Sequence, residues 1–117
     1  MIARLTGLLD ALDETSIIID VSGVGYLVFC SATTLRGLGA IGDPVRLSIE
    51  THVREDHIHL YGFADEAEQD WFGLLMTVQG VGARLALAIL GTLAPSDLVN
   101  AVLSEDKAAL TRAPGGA

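Results

Sequence analysis

Between Phe63 and Asp65 the hydrophobic period changes from two residues to 3.6, and this change divides the chain into a β part and a helical part. Before it lie five runs rich in β-branched and aromatic residues: Ile2–Leu12, Ser16–Val21, Val24–Ser31, Val45–Val53 and His57–Phe63. Turn residues separate them, at Asp13-Glu14, at Ser22-Gly23, through Gly37, Gly39 and Gly42 to Asp43-Pro44, and at Arg54-Glu55-Asp56. Thr33–Leu38 reads as one helical turn between the third and fourth strands. Five short strands with a helical insert after the third predict a small Greek-key barrel of the OB type over residues 1–63.

Residues 64–117 predict short helices, which makes the fold class α+β: a five-stranded OB-type barrel followed by a small helical domain. Asp65 with Glu68 three residues on has the spacing of a capping box, and Trp71, Leu74, Leu75 and Val78 follow as an apolar face. Gly91 ends the helix built on Leu85, Ala88 and Ile89. Pro95-Ser96-Asp97 opens a further helix with Leu98, Ala101 and Val102 inward, and Ser104 caps a last one reaching Leu110.

The stretch Val78–Leu90 carries the chemistry. Gly80 and Gly82 flank Val81, and a helix starts at once. Such an opening presents unpaired backbone N–H groups at the positive end of a helix dipole, and the missing Cβ atoms let an anion come close. The segment before the glycines is helical too, which argues against a dinucleotide fold, where a strand precedes them. Helix, Gly-Val-Gly hairpin, helix is instead the pattern of the helix-hairpin-helix module, which grips a nucleic-acid backbone without reading bases. An ordinary glycine turn between two helices is the plainer reading of the same residues. Arg84, two residues past Gly82, is placed to pair with a phosphate at the turn.

A formal net charge of −8 opposes binding to a polyanion. There are four Lys/Arg against eight Asp/Glu in residues 1–63 and three against seven after them, so neither part is basic. Any nucleic-acid contact must then rest on backbone N–H groups and a few arginines gathered on one face. Gly23-Val24-Gly25 looks like a nucleotide fingerprint, but a strand follows it, so it reads as a tight β connection. His52, His57 and His59 read as an exposed histidine face rather than a metal site, because no cysteine lies near them. Cys30, the one cysteine, excludes an internal disulfide and reads as a buried thiol. The sequence has no run of eighteen apolar residues and its N-terminus lacks the pattern of a signal peptide, so a cytoplasmic, membrane-free chain is expected.

Several motifs in one order carry a resemblance: Met1-Ile2, Arg4-Leu5 and Gly7; Val21-Ser22-Gly23-Val24-Gly25-Tyr26; Val53-Arg54-Glu55-Asp56; Leu60-Tyr61-Gly62-Phe63; and Gly80-Val81-Gly82 with Leu85-Ala86-Leu87. The chain resembles the RuvA family, the Holliday junction-binding subunits of the bacterial branch-migration complex. The resemblance implies a homotetramer built on the OB domain and a second domain with two helix-hairpin-helix motifs. It also implies a third domain that docks the hexameric RuvB ATPase, and cooperation with the RuvC resolvase. It implies DNA contacts at Arg54, Gln79, Gly80, Val81, Gly82 and Arg84, and a second hairpin starting at Pro114 and Gly115. Glu55 and Asp56 match the family's acidic pin, a turn at the centre of the tetramer. No cofactor and no metal are implied, and ATP hydrolysis is expected of RuvB, since no Gly-x-x-x-x-Gly-Lys-Ser/Thr loop occurs here.

After Gly115 the sequence departs from the family pattern: Gly116-Ala117 stands where a hydrophobic residue, glycine and lysine are expected. The basic tail of that hairpin, the next helix and the docking domain are absent, so a fragment or truncated product is expected. Two other readings compete with a junction-binding subunit. One is an oligomerisation module that has lost DNA binding and motor docking. The other is a helix-hairpin-helix glycosylase fragment, which needs a catalytic lysine or aspartate in a base pocket downstream of the hairpin.

Overall fold

Along β1, Arg4–Leu12, Leu5 and Leu9 turn inward while Thr6, Leu8 and Asp10 face out, which is the period of a half-buried strand. The alternation recurs in the first half of β4 (Pro44–Val53); β2 (Ser16–Val21) and β3 (Val24–Cys30) complete the wall with β5 (Ile58–Phe63), which is buried on both faces from Leu60 to Phe63. The structure is a computed structural model and describes residues 1–92. Its strands close into a barrel in the order β1-β2-β3-β5-β4, with β4 returning to β1. All pairs are antiparallel except β3 with β5, where Val28 lies opposite Leu60 and Cys30 opposite Gly62. Closure leaves none of the five strands as an open edge.

The strand ends differ from the sequence reading by one or two residues. Ile2 lies before β1, tied to the Thr51 hydroxyl, which donates to the Ile2 carbonyl at 2.6 Å. Ser31 caps the short helix α1, Ala32–Arg36, by accepting from the Thr34 N–H, so it is not part of a strand. The Ser22-Gly23 connection is a two-residue hairpin turn with φ of 53° and 91°, the twist that suits antiparallel neighbours.

Inside the barrel Leu9, Ile17, Ile19, Val28, Leu47 and Ile49 form the core together with Cys30 and Leu60. Burial pushes the Cys30 thiol up to about 12, with the nearby Glu68 charge adding to the effect, so the expected buried thiol is what the fold contains. Strand β5 serves two cores. Leu60 and Gly62 face the barrel, while Tyr61 and Phe63 face outward and carry the helices.

Those helices are α2, Glu66–Leu75, and α3, Ala83–Leu90. Phe72 lies over Phe63 at 4.9 Å between ring centroids and over Tyr61 at 5.5 Å. Leu75, Val81, Ala86, Leu87, Ile89 and Leu90 complete this second core. Burying a side chain the size of Phe72 or Ile89 stabilises the fold by about 1.5–3 kcal/mol. The faces differ from those expected: on α2 Phe72 and Leu75 point inward and Leu74 remains 44% exposed. On α3 Ile89 is innermost as expected, but Ala86 and Leu90 share that stripe in place of Leu85 and Ala88, which are only partly buried.

The capping box also differs. Asp65 caps α2 by accepting from the Ala67 N–H at 2.9 Å, but Glu68 does not reach back to it. The Glu68 carboxylate instead accepts the hydroxyls of Ser31, at 2.7 Å, and Thr34. Thr33 adds a bond from its hydroxyl to the Leu90 carbonyl at 2.9 Å. Helix α1 is therefore the bolt that fixes α2 and α3 on the barrel. The helices expected at Pro95–Val102 and Ser104–Leu110 lie outside the described residues.

Candidate nucleic-acid interface

Helix α2 stops at Met76, and the chain reverses through a turn in which the Val78 carbonyl accepts from the Val81 N–H at 3.1 Å. The turn needs Gly80, whose φ is 88°, in the region that L side chains avoid. Val81 drops into the helical core and anchors the turn from below. Gln79, Gly80 and Gly82 stay exposed above it.

Gly82 is the N-cap of α3. Its φ of −91° and ψ of −179° are open to any residue, and a Cβ there would meet nothing within 4 Å. Neither backbone strain nor packing explains a glycine at this position. Its carbonyl accepts from the Ala86 N–H at 2.9 Å, and no side chain caps the first turn. The opening of α3 thus offers uncapped N–H groups beneath free space, at the end of the helix that attracts negative charge.

Arg84 follows on the first turn of α3 and is exposed, but its guanidinium lies over the Phe29 ring of β3, 5.7 Å from the centroid. Together they line an open cleft of about 530 Å³ between barrel and helices, with Glu14, Leu87 and Ala88 among its walls. Arg84 is thereby oriented by the barrel as well as by its own helix.

At another corner of the barrel β4 and β5 meet in a tight hairpin, where Val53 pairs with Ile58 and the Arg54 N–H donates to the His57 carbonyl at 2.8 Å. Arg54, Glu55 and Asp56 are all exposed at its tip. The His57 imidazole lies 2.7 Å from the Asp56 carboxylate, and this hydrogen bond holds the Asp56 carboxyl below the usual carboxylate range.

The histidines are not the plain exposed face expected from the sequence. The His57 and His59 rings stack at 4.2 Å, and His59 meets the Phe29 ring edge-on at 5.4 Å. His52, opposite His59 in the β4–β5 register, packs on Tyr61 at 4.9 Å and on Phe72 at 6.0 Å. Burial, then the Arg54 charge, push the His52 imidazole below its ordinary value. Burial raises the Tyr61 phenol, while the Arg84 and Arg54 charges pull it back down. Phe29, Tyr61 and the histidines were not expected beside Arg84. The available signal was the spacing of His57, His59 and Tyr61, which puts them on one face of a strand.

Among the described residues no group of three or more His, Cys, Asp and Glu side chains could hold a metal ion, and no helix is long and apolar enough to cross a membrane. Pro114 and Gly115, expected at a second hairpin, lie outside the described residues.

Comparison with known proteins agrees with this architecture part by part. Residues 1–62 match the family model described as RuvA N terminal domain, and residues 72–115 match the SAM-like helix-hairpin-helix tandem. Among curated proteins, the chain is 56% identical to the Holliday junction branch migration complex subunit RuvA of Methylobacterium radiotolerans, 57% to that of a Bradyrhizobium species and 56% to that of Brucella canis. Each of these alignments runs over 115 residues and covers 98% of this chain but 56% of the relative, so the chain spans about half the length of the curated relatives it matches. A closed five-stranded barrel that matches the family's N-terminal domain, followed by a glycine hairpin between two helices, places this chain in the RuvA family.

Proposed function

We propose that the chain is a non-catalytic subunit that binds four-way junction DNA, holding the arms apart by their phosphates with little sequence preference. Residues 1–63 form the platform on which a homotetramer assembles, and residues 64–117 carry the phosphate grip. The observation that carries this reading is the hairpin: uncapped N–H groups at the start of α3 under open space, behind a glycine that the fold itself does not need. Gln79, Gly80, Val81, Gly82 and Arg84 make the first contact and Pro114 with Gly115 the second, while Arg54 reaches the backbone near the crossover. Glu55 and Asp56 form the acidic pin, which repels phosphates at the centre and keeps the crossover open. The motor of this system is the RuvB ATPase and the nuclease is RuvC, all acting in the cytoplasm.

The test is junction binding across a range of salt, compared with duplex DNA. Affinity for the junction should exceed that for duplex and fall steeply with salt, and Arg84→Ala should lower the slope by about one unit while weakening all junction sequences alike. The net charge of −8 favours the second reading, an assembly module without DNA binding. Absence of junction binding even at low salt would decide for it.

A further inference from the structure

Two of the three histidines of this acidic chain, His57 just before β5 and His59 on it, form a line with Phe29 of β3 between the turn at Glu55-Asp56 and the first turn of α3, and His52 lies beside His59 on β4. Each neighbour along the line touches the next. Asp56 contacts His57 at 2.7 Å, the His57 and His59 rings are 4.2 Å apart, His59 meets Phe29 at 5.4 Å, and Arg84 covers Phe29 at 5.7 Å. Arg54 and Arg84 both act on the Tyr61 hydroxyl, which itself lies 3.4 Å from His59, so the two arginines bracket the same face. Arg54 and Arg84 are two of the five Lys/Arg side chains among residues 1–92.

We propose that His57 and His59 form, together with Arg84, a proton-dependent contact for the DNA backbone between the crossover and the α3 hairpin. This rests on the junction-binding reading above. A phosphate beside a half-exposed imidazole favours its charged form, so binding draws protons onto the histidines and affinity rises as pH falls. The groups facing them set the limits. Asp56 lies 2.7 Å from His57, and Arg84 shares with Glu14 the cleft beside Phe29, so a phosphate entering there meets both signs of charge. His52 stays out of the set, because it packs on Tyr61 and Phe72, and burial, then the Arg54 charge, push its imidazole below the ordinary value. The hydrogen bond from His57 holds the Asp56 carboxyl below the usual carboxylate range, away from this window.

The experiment is fluorescence anisotropy of a labelled four-way junction with the full chain at about pH 6 and about pH 8, alongside His57→Gln/His59→Gln and the single variant His57→Gln. The unaltered chain should bind about tenfold more tightly at the lower pH, the effect of one pKa unit gained on binding, with a salt slope steeper by about one unit. In the double variant the ratio between the two pH values should fall close to one, and in the single variant to an intermediate value. Circular dichroism of both variants checks that the barrel is unchanged. Imidazole resonances give an independent readout: junction DNA should raise the pKa of His57 and His59 and leave that of His52 in place. Junction binding of equal strength at both pH values overturns the proposal and leaves the junction-binding reading standing, as does a pH ratio that survives in the double variant. No junction binding at either pH sinks that reading and this contact with it.

Discussion

Replacing Gly82 by aspartate should make the protein more stable and a worse DNA binder, two effects of opposite sign from one side chain. The N-cap backbone, φ −91° and ψ −179°, is already the extended conformation a capping residue adopts, and the space around a Cβ is empty to 4 Å. The new carboxylate accepts from an N–H of the first turn, worth a few tenths of a kcal/mol over glycine, and its charge at the positive end of α3 adds about 0.3–1 kcal/mol. A net gain of about 0.5–1 kcal/mol shifts Tm upward by about 2–4 °C for a chain of this size. The same carboxylate occupies the N–H groups offered to a phosphate and repels it, so junction affinity should drop at least about tenfold, the equivalent of about 1.4 kcal/mol. Gly80→Ala is the contrasting variant: with φ at 88° it should cost about 1–2 kcal/mol of stability. Urea unfolding followed by circular dichroism gives the stabilities, and anisotropy with a labelled junction gives the affinities. A destabilised Gly82→Asp would refute the N-cap geometry. A stabilised variant that binds the junction as well as the original would refute the claim that these N–H groups hold the phosphate.

Three further outcomes are expected. Glu55→Gln with Asp56→Asn should tighten DNA binding and reduce the preference for junction over duplex, since two exposed carboxylates at the β4–β5 tip no longer repel phosphates; unchanged affinity and preference in a side-by-side titration would return them to ordinary turn residues. Gly62→Ala should destabilise the barrel by about 1–3 kcal/mol in urea unfolding, because its Cβ would lie 2.6 Å from a Val28 methyl and 2.9 Å from a Leu47 methyl; a neutral effect would mean the barrel interior yields more easily than its packing indicates. Cys30, with its thiol raised to about 12 from 9.0, binds its proton more tightly folded than unfolded, so its contribution to stability is fully present below pH 9.0 and is lost as pH rises toward about 12. Cys30→Ala should flatten that alkaline decline in pH-dependent unfolding, and an unchanged decline would place its cause elsewhere.

The positions of the strands, the α1 turn and the glycine hairpin were legible in the sequence because local rules govern them. Alternation marks a half-buried strand, Ser22-Gly23 and Asp43-Pro44 mark turns, and Gly80-Val81-Gly82 ahead of Leu85-Ala86-Leu87 marks a reversal into a helix. Even the tip carrying Glu55 and Asp56 follows from two strand patterns separated by polar residues. The partners of the side chains were another matter. Glu68 had the spacing to cap its own helix, but the approach of α1 offered two hydroxyls in a partly buried site, and a carboxylate there must be hydrogen-bonded. Periodicity placed an apolar stripe on α2 and α3 but did not fix its rotation. The outward rings of Tyr61 and Phe63 did, by drawing Phe72 inward and leaving Leu74 in solvent. Arg84 over Phe29, and His59 beside that same ring, join residues far apart in the chain. Only the parallel pairing of β3 with β5 and the seating of α3 on the barrel bring them together, because such contacts depend on closure of the whole sheet and no local pattern encodes their distance.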